Sequence, residues 1–276
     1  MVVTSERTPR ALTIAGSDSG GGAGIQADLK AFARCGVHGM CALTAITAQS
    51  TIGVSLVHEV PPDMILAQVR AVAQDIGVDA VKVGMLGTAQ AALAVSQALD
   101  ELAPNIPVVV DPVMVAESGA TLLSADARRV LVREVLPRSS VITPNLPEAR
   151  MLVEVATGAP GAPEPQELAR ELLALGAEFA VITGGHRPEA VDIFCDATGV
   201  VSIAGIRHPS GSAHGSGCTH SSVLAAQLAL GATPLEAART ARELAGDAVR
   251  DGLADVGEGA GPVDVLGLAR RRGGVS

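Results

Sequence analysis

The sequence predicts an α/β fold, a three-layer αβα sandwich with a mainly parallel central sheet and a small antiparallel edge. Short runs rich in β-branched residues alternate with longer helical patterns from one end of the chain to the other. Helical crossovers of this kind join parallel strands and cover both faces of the sheet. Residues 191–206 hold two strand candidates too close together for a crossover helix, so we expect antiparallel pairing there.

The predicted strands are short apolar runs that end at Gly, Pro or polar residues. In chain order they span residues 11–15, 40–45, 80–83, 108–111, 141–143, 179–183, 191–195 and 200–206. In open α/β sheets, ligands bind beyond the carboxyl ends of the strands. We therefore expect functional residues directly after these runs.

The helices between the strands carry their own end signals. Gly36, Gly176 and Gly231 stand where left-handed C-caps are expected. Thr233 begins a capping box with Pro at the first helical position. The predicted helices span residues 23–35, 63–75, 88–102, 124–135, 147–154, 164–175, 217–230 and 234–250.

The composition excludes several classes of protein. The chain has 276 residues, of which 48% are hydrophobic and 18% charged, so it can form a large core and is not disordered. Its formal net charge of −9 and its lack of Trp and Tyr argue against nucleic-acid binding, which needs a basic footprint or stacking platforms. Two stretches without charged residues, 35–58 and 208–235, are interrupted by Gly, Pro or polar residues, so we expect no membrane span.

The ends of the chain and its four cysteines bear on compartment and domain organisation. The cysteines form no C-x-x-C pair, so we expect neither a disulfide framework nor paired zinc ligands. Residues 1–10 lack the apolar run of a secretory signal, and we expect a cytoplasmic protein. We expect residues 1–10 to form a disordered tail and residues 11–276 to form one domain, because the linker-like stretch 158–165 is short enough to be a loop.

Residues 15–28 (AGSDSGGGAGIQAD) form a glycine-rich segment directly after the first predicted strand, which lets a ligand approach the backbone closely. A G-x-G-x-x-A spacing within it matches a dinucleotide fingerprint. That fingerprint also needs an acidic residue about 20 positions further on, and none stands between Asp28 and Glu59. A turn without a ligand is the alternative, as is a solvated surface carboxylate at Asp28.

Polar side chains follow three further predicted strands. The planar amide of Gln49 suits a heterocycle with an adjacent ring nitrogen and amine, although a loop glutamine in water is the alternative. Asp111 stands where a carboxylate can hold Mg²⁺ through water. Asn145 and Glu148 lie on one side of a helical turn and could order a metal hydration shell, but the same spacing also makes a capping box.

Residues 214–219 (HGSGCT) precede an Ala- and Leu-rich helix, and consecutive N–H groups at such a helix start form an anion hole. Cys218 falls in the first turn, where this field is expected to lower the thiol pKa. Three roles remain open for Cys218. It could be a buried structural thiol, a nucleophile with a neighbouring histidine, or a general base for phosphoryl transfer to a hydroxyl.

The familiar nucleotide-binding motifs are missing from the sequence. Neither lysine, Lys30 or Lys82, follows a glycine loop of the P-loop type, and no protein-kinase motif set occurs. Phosphate chemistry in this chain would therefore depend on backbone amides, Mg²⁺ and an arginine.

Taken together, these segments resemble the ribokinase-like superfamily and, within it, the hydroxymethylpyrimidine/phosphomethylpyrimidine kinases of thiamin biosynthesis. The resemblance runs from residue 12 to about residue 262. It is carried by AGSDSGGGAGIQAD (15–28), TAQST (47–51), KVGML (82–86), DPVM (111–114), TPNLPEA (143–149) and HGSGCT (214–219). It implies a ribokinase-like fold, a homodimer, and ATP- and Mg²⁺-dependent phosphorylation of 4-amino-5-hydroxymethyl-2-methylpyrimidine and then of its monophosphate.

The resemblance also implies roles for individual residues. The residues expected to contact the pyrimidine are Gly16, Asp28, Gln49, Met85 and Val113. The anion hole would be formed by Gly215, Ser216 and Gly217, with Cys218 as the catalytic base. The residues expected to contact the nucleotide are Asn145, Glu148, Thr183 and Gly185, and those expected at Mg²⁺ are Asp111 and Glu148.

One position departs from the family pattern. Family members often carry a lysine that reaches the nucleotide phosphates where this chain has Thr183. ATP affinity is then lower, or an arginine from elsewhere compensates. The alternatives are a pyridoxal or pyridoxine kinase of the same fold, a metabolite-binding protein with impaired catalysis, and a thiol hydrolase that uses Cys218.

Overall fold

The computed structural model describes residues 7–115, 119, 121–162, 164–185, 190–208 and 212–273. The strands within these ranges are β1 (Arg10–Ala15), β2 (His38–Leu43), β3 (Ala45–Gln49), β4 (Val54–Glu59), β5 (Ala80–Val83), β6 (Val108–Val110), β7 (Val141–Ile142), β8 (Phe179–Ile182), β9 (Asp192–Asp196) and β10 (Gly199–Ile203). The helices are α1 (Gly24–Arg34), α2 (Pro62–Asp75), α3 (Ala89–Asp100), α4 (Ala125–Val130), α5 (Leu146–Thr157), α6 (Pro165–Leu173), α7 (Ser216–Ala229), α8 (Pro234–Arg250) and α9 (Leu268–Gly273). Helix α4 continues into a π-helical turn, Leu131–Val135, and a 3₁₀ turn, Leu136–Arg138.

The central sheet has eight strands in the order β10-β9-β8-β7-β6-β5-β1-β2. Strands β2, β1, β5, β6, β7 and β8 are parallel. The last two strands, β9 and β10, pair antiparallel at one edge. This confirms the predicted fold class and the antiparallel pairing of residues 191–206.

Two apolar layers cover the faces of the sheet, because strand residues alternate between them. Along β6, Val108 and Val110 face one layer and Val109 faces the other. The first layer contains buried residues of α2 to α6, such as Leu152, and the second contains residues of α1, α7 and α8, such as Phe32. Complete burial of side chains of this size stabilises the fold by about 1.5–3 kcal/mol each.

The predicted helix ends are confirmed where they can be compared. Gly36, Gly176 and Gly231 have φ values of 75°, 113° and 87°, as a left-handed C-cap requires. The Thr233 hydroxyl accepts from the Glu236 N–H, and the Glu236 carboxylate accepts from the Thr233 N–H, which completes the capping box.

The second predicted strand was placed wrongly at its carboxyl end. The chain leaves the sheet at Leu43 and forms a separate antiparallel hairpin of β3 and β4. Strand β4 is exposed along most of its length, so it lacks the apolar alternation that marks a half-buried strand. A turn-like Ser50–Gly53 segment between two β-branched runs was the available signal.

The predicted tail needs a correction at its end. Residues 1–6 lie outside the described residues, whereas Arg10 is the first residue of β1, and its guanidinium donates to the Asp79 carboxylate at 2.8 and 3.0 Å. Within the described ranges, no helix combines the length and the apolar character that crossing a bilayer needs.

Candidate active site

The carboxyl ends of the parallel strands open into a cavity of about 460 Å³, within the size range of small-molecule sites. The predicted site residues in its wall are Gly16, Gln49, Met85, Asp111, Val113, Asn145, Glu148, Thr183, Gly185, Gly215, Ser216, Gly217 and Cys218. These residues come from all parts of the chain because parallel strands bring their carboxyl ends to one edge. Of the predicted site residues, Asp28 alone is not part of the wall.

The position of Asp28 corrects its predicted role. Its side chain is 0% exposed, so it neither contacts a ligand in the cavity nor lies in solvent. Its carboxylate accepts from the Thr13 hydroxyl at 2.6 Å, the Ser222 hydroxyl at 2.7 Å and the Lys82 ammonium at 2.9 Å. Asp28 faces inward because α1 packs on the sheet. Its carboxylate holds the Lys82 ammonium by a hydrogen-bonded ion pair on the side away from the cavity.

Lys82 is a cavity residue to which sequence reasoning assigned no role. It lies on the central strand β5, and its ammonium is also 3.8 Å from the Asp111 carboxylate. Burial alone would lower the pKa of Lys82, but the charges of Asp28 and Asp111 hold it above its usual value. Lys82 is therefore a fixed positive charge at the cavity floor. A lysine inside an otherwise apolar strand, AVKV, was the signal available in the sequence.

One end of the cavity is mostly uncharged. The Gln49 side chain lies on β3 and accepts from the Thr47 hydroxyl at 3.3 Å. Met85 lies against Gly16, where a Cβ would be 2.5 Å from the Met85 methyl carbon. Gly16, Gln49, Met85 and Val113 thus combine apolar surface with an amide, which suits a small neutral heterocycle.

The turn before α7 brings the start of that helix into the cavity wall, packed against the glycine-rich turn before α1. Gly215 is the N-cap of α7, with φ 82°, and a Cβ there would lie 1.7 Å from the Gly22 carbonyl oxygen. Only glycine fits this position, since it needs both a left-handed backbone and no side chain. Ser216 and Gly217 follow in the first helical turn, where N–H groups and the helix dipole attract an anion. In the free protein the Ser216 N–H donates to the Ala213 carbonyl at 3.0 Å.

Cys218 lies in that first turn and is half-buried. The backbone N–H of Gly24, at the start of α1, acts to lower the pKa of this thiol, so two helix N-termini lie near it. The expected lowering of the thiol pKa is nevertheless wrong. Burial raises the pKa of Cys218 to about 12, and the positive charge of Lys82 only partly opposes this. At neutral pH, Cys218 of the free protein is therefore mainly in the thiol form.

Two carboxylates lie on the cavity wall after β6 and at the start of α5. Asn145 and Glu148 form the capping box that was weighed as an alternative, with the Glu148 carboxylate accepting from the Asn145 N–H at 3.0 Å. Burial, and then the negative charge of Asp111, raises the pKa of Glu148 to about 7. The Asp111 carboxylate accepts from the Ser221 hydroxyl at 2.9 Å. A hard cation between these oxygen donors would relieve their repulsion.

The far end of the cavity contains Thr183 and Gly185, with two arginines, Arg207 and Arg242, in the same wall. No lysine follows β8, but the Arg242 guanidinium lies 3.6 Å from the buried Asp192 carboxylate. Asp192 also accepts from the Gly184 N–H, so Arg242 and the backbone after Thr183 meet at one carboxylate. Of the two outcomes expected for Thr183, lower ATP affinity or a compensating arginine, the second has a candidate in Arg242, which lies in the same cavity wall. Its place in α8 gave no signal of this.

The chain is similar to proteins of one enzyme family. Residues 18–264 match the family profile described as phosphomethylpyrimidine kinase. The hydroxymethylpyrimidine/phosphomethylpyrimidine kinase of Rhizobium meliloti is 43% identical over 263 residues, which cover 93% of this chain and 96% of that protein. The thiamine biosynthesis bifunctional protein ThiED of Geobacter sulfurreducens is 45% identical over 258 residues, 92% of this chain and 51% of that longer protein.

A solved structure shows the same fold. The pyridoxal kinase from Staphylococcus aureus in complex with ADP matches with a TM-score of 0.84 and 32% identity, over 94% of each chain. This chain thus shares its fold with a kinase whose solved structure contains ADP.

Proposed function

This chain belongs to the phosphomethylpyrimidine kinase family, and on that premise we propose the reaction of its cavity. It transfers a phosphoryl group from ATP to the hydroxymethyl oxygen of 4-amino-5-hydroxymethyl-2-methylpyrimidine, and then to the resulting monophosphate, in thiamin biosynthesis. The observation that carries this proposal is the placement of the α7 N-terminus and Cys218 in the wall of the cavity that Gln49 and Met85 also line.

The pyrimidine occupies the uncharged end of the cavity in this proposal. Gln49 offers one acceptor and two donors to the amino group and ring nitrogen, and Met85 and Val113 cover the ring faces. Gly16 leaves room for Met85 beside the ring, because a Cβ there would lie 2.5 Å from the Met85 methyl carbon. Asp28 acts one step away, since its carboxylate fixes the Lys82 ammonium under the reacting atoms.

The phosphoryl group is transferred from the nucleotide to the substrate hydroxyl at the N-terminus of α7. Backbone N–H groups of Gly215 and Gly217 receive the oxygens of the transferring group, joined by that of Ser216 once it leaves the Ala213 carbonyl. The transition state of phosphoryl transfer is loose, so positioning and charge stabilisation supply most of the catalysis. Cys218 in its thiolate form takes the proton from the substrate hydroxyl.

The nucleotide lies toward the far end of the cavity, beside Asn145, Glu148, Thr183 and Gly185. Arg242 supplies there the positive charge that a lysine at position 183 gives to relatives. The oxygens of Asp111 and Glu148 fit a Mg²⁺ ion, which usually takes one or two carboxylates together with substrate phosphates. When bound, that ion neutralises the developing charge on the phosphates.

The activity should increase with pH over a wide range. Below about pH 7, Glu148 becomes protonated and loses the charge that it offers to Mg²⁺. Above pH 7, the thiolate fraction of Cys218 still grows about tenfold per pH unit, because its pKa lies far higher. The measurement is log kcat/KM from pH 5.5 to 9. The Glu148→Gln variant should lose the lower inflection and keep the upper rise, whereas a flat profile between pH 7.5 and 9 would remove the thiolate from the mechanism.

We include a homodimer and a cytoplasmic location in the proposal. The exposed side chains of Ile46 and Leu56 share one face of the β3–β4 hairpin and place an apolar surface there, which supports self-association. Dependence on ATP supports a cytoplasmic location. Leu56→Asp should shift the sedimentation coefficient from dimer to monomer, and a wild-type chain that sediments as a monomer would contradict the dimer.

The deciding experiment is ADP release with Mg²⁺ and ATP, with four acceptors offered separately: hydroxymethylpyrimidine, its monophosphate, pyridoxal and pyridoxine. We expect turnover on both pyrimidines and at least tenfold lower kcat/KM on both pyridines. Preference for pyridoxal would assign the chain to the activity of its Staphylococcus aureus structural neighbour. The absence of turnover on all four would contradict the kinase proposal.

A further inference from the structure

The glycine-rich turn before α1 and the turn before α7 meet at a buried pair of side chains. The His214 Nε2–H donates to the Asp18 Oδ2 at 3.0 Å, although these residues are 196 positions apart in sequence. Asp18 Oδ2 also accepts from the N–H groups of Gly22 and Ala23, and its Oδ1 accepts from that of Gly20. Burial alone would raise the pKa of Asp18, but these bonds hold it below its usual value. A charged carboxylate therefore organises the first turn and ties it to the second.

The imidazole of His214 is held on a fixed backbone. The backbone N–H of His214 donates to the Gly261 carbonyl at 3.4 Å, and the His214 carbonyl accepts from the Val263 N–H at 3.1 Å. A Cβ on Gly22 would come within 2.2 Å of the His214 ring. The two turns are therefore in contact with no free space between them, and the pair determines how closely they approach.

This contact places the hydrogen-bond donors around Cys218. Gly24, the residue directly after Ala23, begins α1 with φ +56°, and its backbone N–H is close enough to the Cys218 sulfur to act on the pKa of that thiol. The N–H of Ile25 donates to the Gly16 carbonyl at 3.0 Å, which joins α1 to the uncharged end of the cavity. A shift of the first turn would therefore move the Gly24 N–H away from the sulfur and disturb Gly16 at the same time.

We propose that Asp18 and His214 are positioning residues that clamp these two turns together, so that the N-termini of α1 and α7 converge on Cys218 and the phosphoryl group. This inference rests on the kinase function proposed above. Both side chains border the cavity, but the Asp18 carboxylate already accepts four hydrogen bonds from protein groups. Its part is to hold the donors in place.

The test compares kcat and KM in four variants. Asp18→Asn replaces a carboxylate oxygen by an amide NH₂, which cannot accept from the backbone N–H groups. His214→Ala removes the hydrogen bond between His214 and Asp18. We expect kcat to fall about 10- to 100-fold in each variant. KM for ATP should change less than threefold, because Thr183 and Asn145 lie on other elements. His214→Gln keeps an N–H donor and should recover kcat to within about threefold of wild type. Asp100→Asn, which breaks the exposed pair with Arg138, is the matched control and should leave kcat unchanged.

Hydrogen exchange supplies a readout that does not depend on activity. The amides of residues 20–24 should exchange at least tenfold faster in Asp18→Asn and His214→Ala than in wild type, while those of β5 stay protected. Unchanged exchange and kcat in both variants would overturn the clamp. Equal loss in His214→Gln and His214→Ala would also overturn it, since the ring itself would then act chemically. An inactive wild-type chain would instead contradict the proposed function, and the exchange result would still decide the clamp.

Discussion

Cys218→Ala should lower kcat by about 10²- to 10⁴-fold, the usual contribution of a general base. The variant should still bind hydroxymethylpyrimidine within threefold of the wild-type Kd, because Gln49, Met85 and Val113 lie in other parts of the cavity wall. Its Tm should change by only a few degrees, since the substitution removes one sulfur from a half-buried position. Steady-state kinetics and calorimetric titration of the pyrimidine separate these effects.

The matched control is Cys41→Ala. Cys41 is also half-buried, but it lies on β2 and outside the cavity wall, so its variant should keep kcat within twofold of wild type. Full activity of Cys218→Ala would remove this thiol from the mechanism. Loss of pyrimidine binding together with kcat would assign Cys218 to the substrate pocket.

Lys82→Met should be the most destabilising of the substitutions considered. The ammonium is 0% exposed and is bonded to Asp28, with Asp111 also nearby. Removing one partner of a buried ion pair leaves an uncompensated charge, which costs about 3–5 kcal/mol in the free energy of unfolding. Activity should be lost with it, because the same ammonium is the fixed positive charge at the cavity floor. Urea unfolding measures the first effect and steady-state kinetics measures the second.

Two further variants test whether the loss of stability in Lys82→Met comes from the unpaired buried carboxylate and not from the change of side chain itself. Arg138→Met breaks an exposed pair with Asp100 and should cost only a small fraction of that free energy. Adding Asp28→Asn to Lys82→Met removes the carboxylate left without its cation, so the double variant should regain part of the lost stability. A Lys82→Met variant as stable as wild type would contradict a charged pair at this position.

The regular elements of the fold could be predicted because their signals are local. Gly36 and Gly231 end helices through their own backbone conformation, and the capping box at Thr233 closes within four residues. The β3–β4 hairpin escaped prediction because its exposure depends on leaving the sheet after Leu43, which no local pattern encodes. The organisation of residues 11–276 as one domain stays a prediction.

The candidate site could be located from sequence, but its charges could not. Residues that follow strands, such as Asp111 and Asn145, were expected at one edge of the sheet and lie in the cavity wall there, together with Cys218 from the first turn of α7. Their pKa values depend on burial and on distant charges, so the expected lowering at Cys218 was wrong. Asp28 was assigned to the substrate because nothing in the sequence around it shows that it pairs with Lys82, 54 residues away.

The amino-acid sequence by itself thus determined the fold class, the order of the elements outside the β3–β4 hairpin, and the glycine-containing turns before α1 and α7. These depend on periodicity, capping and glycine conformation, all of which act over a few residues. Tertiary structure alone decided that Lys82 lies between two carboxylates, that Arg242 lies beside Thr183, and that Asp18 meets His214. Such pairs form between distant segments, and their energies depend on burial and on distances that only the folded chain sets.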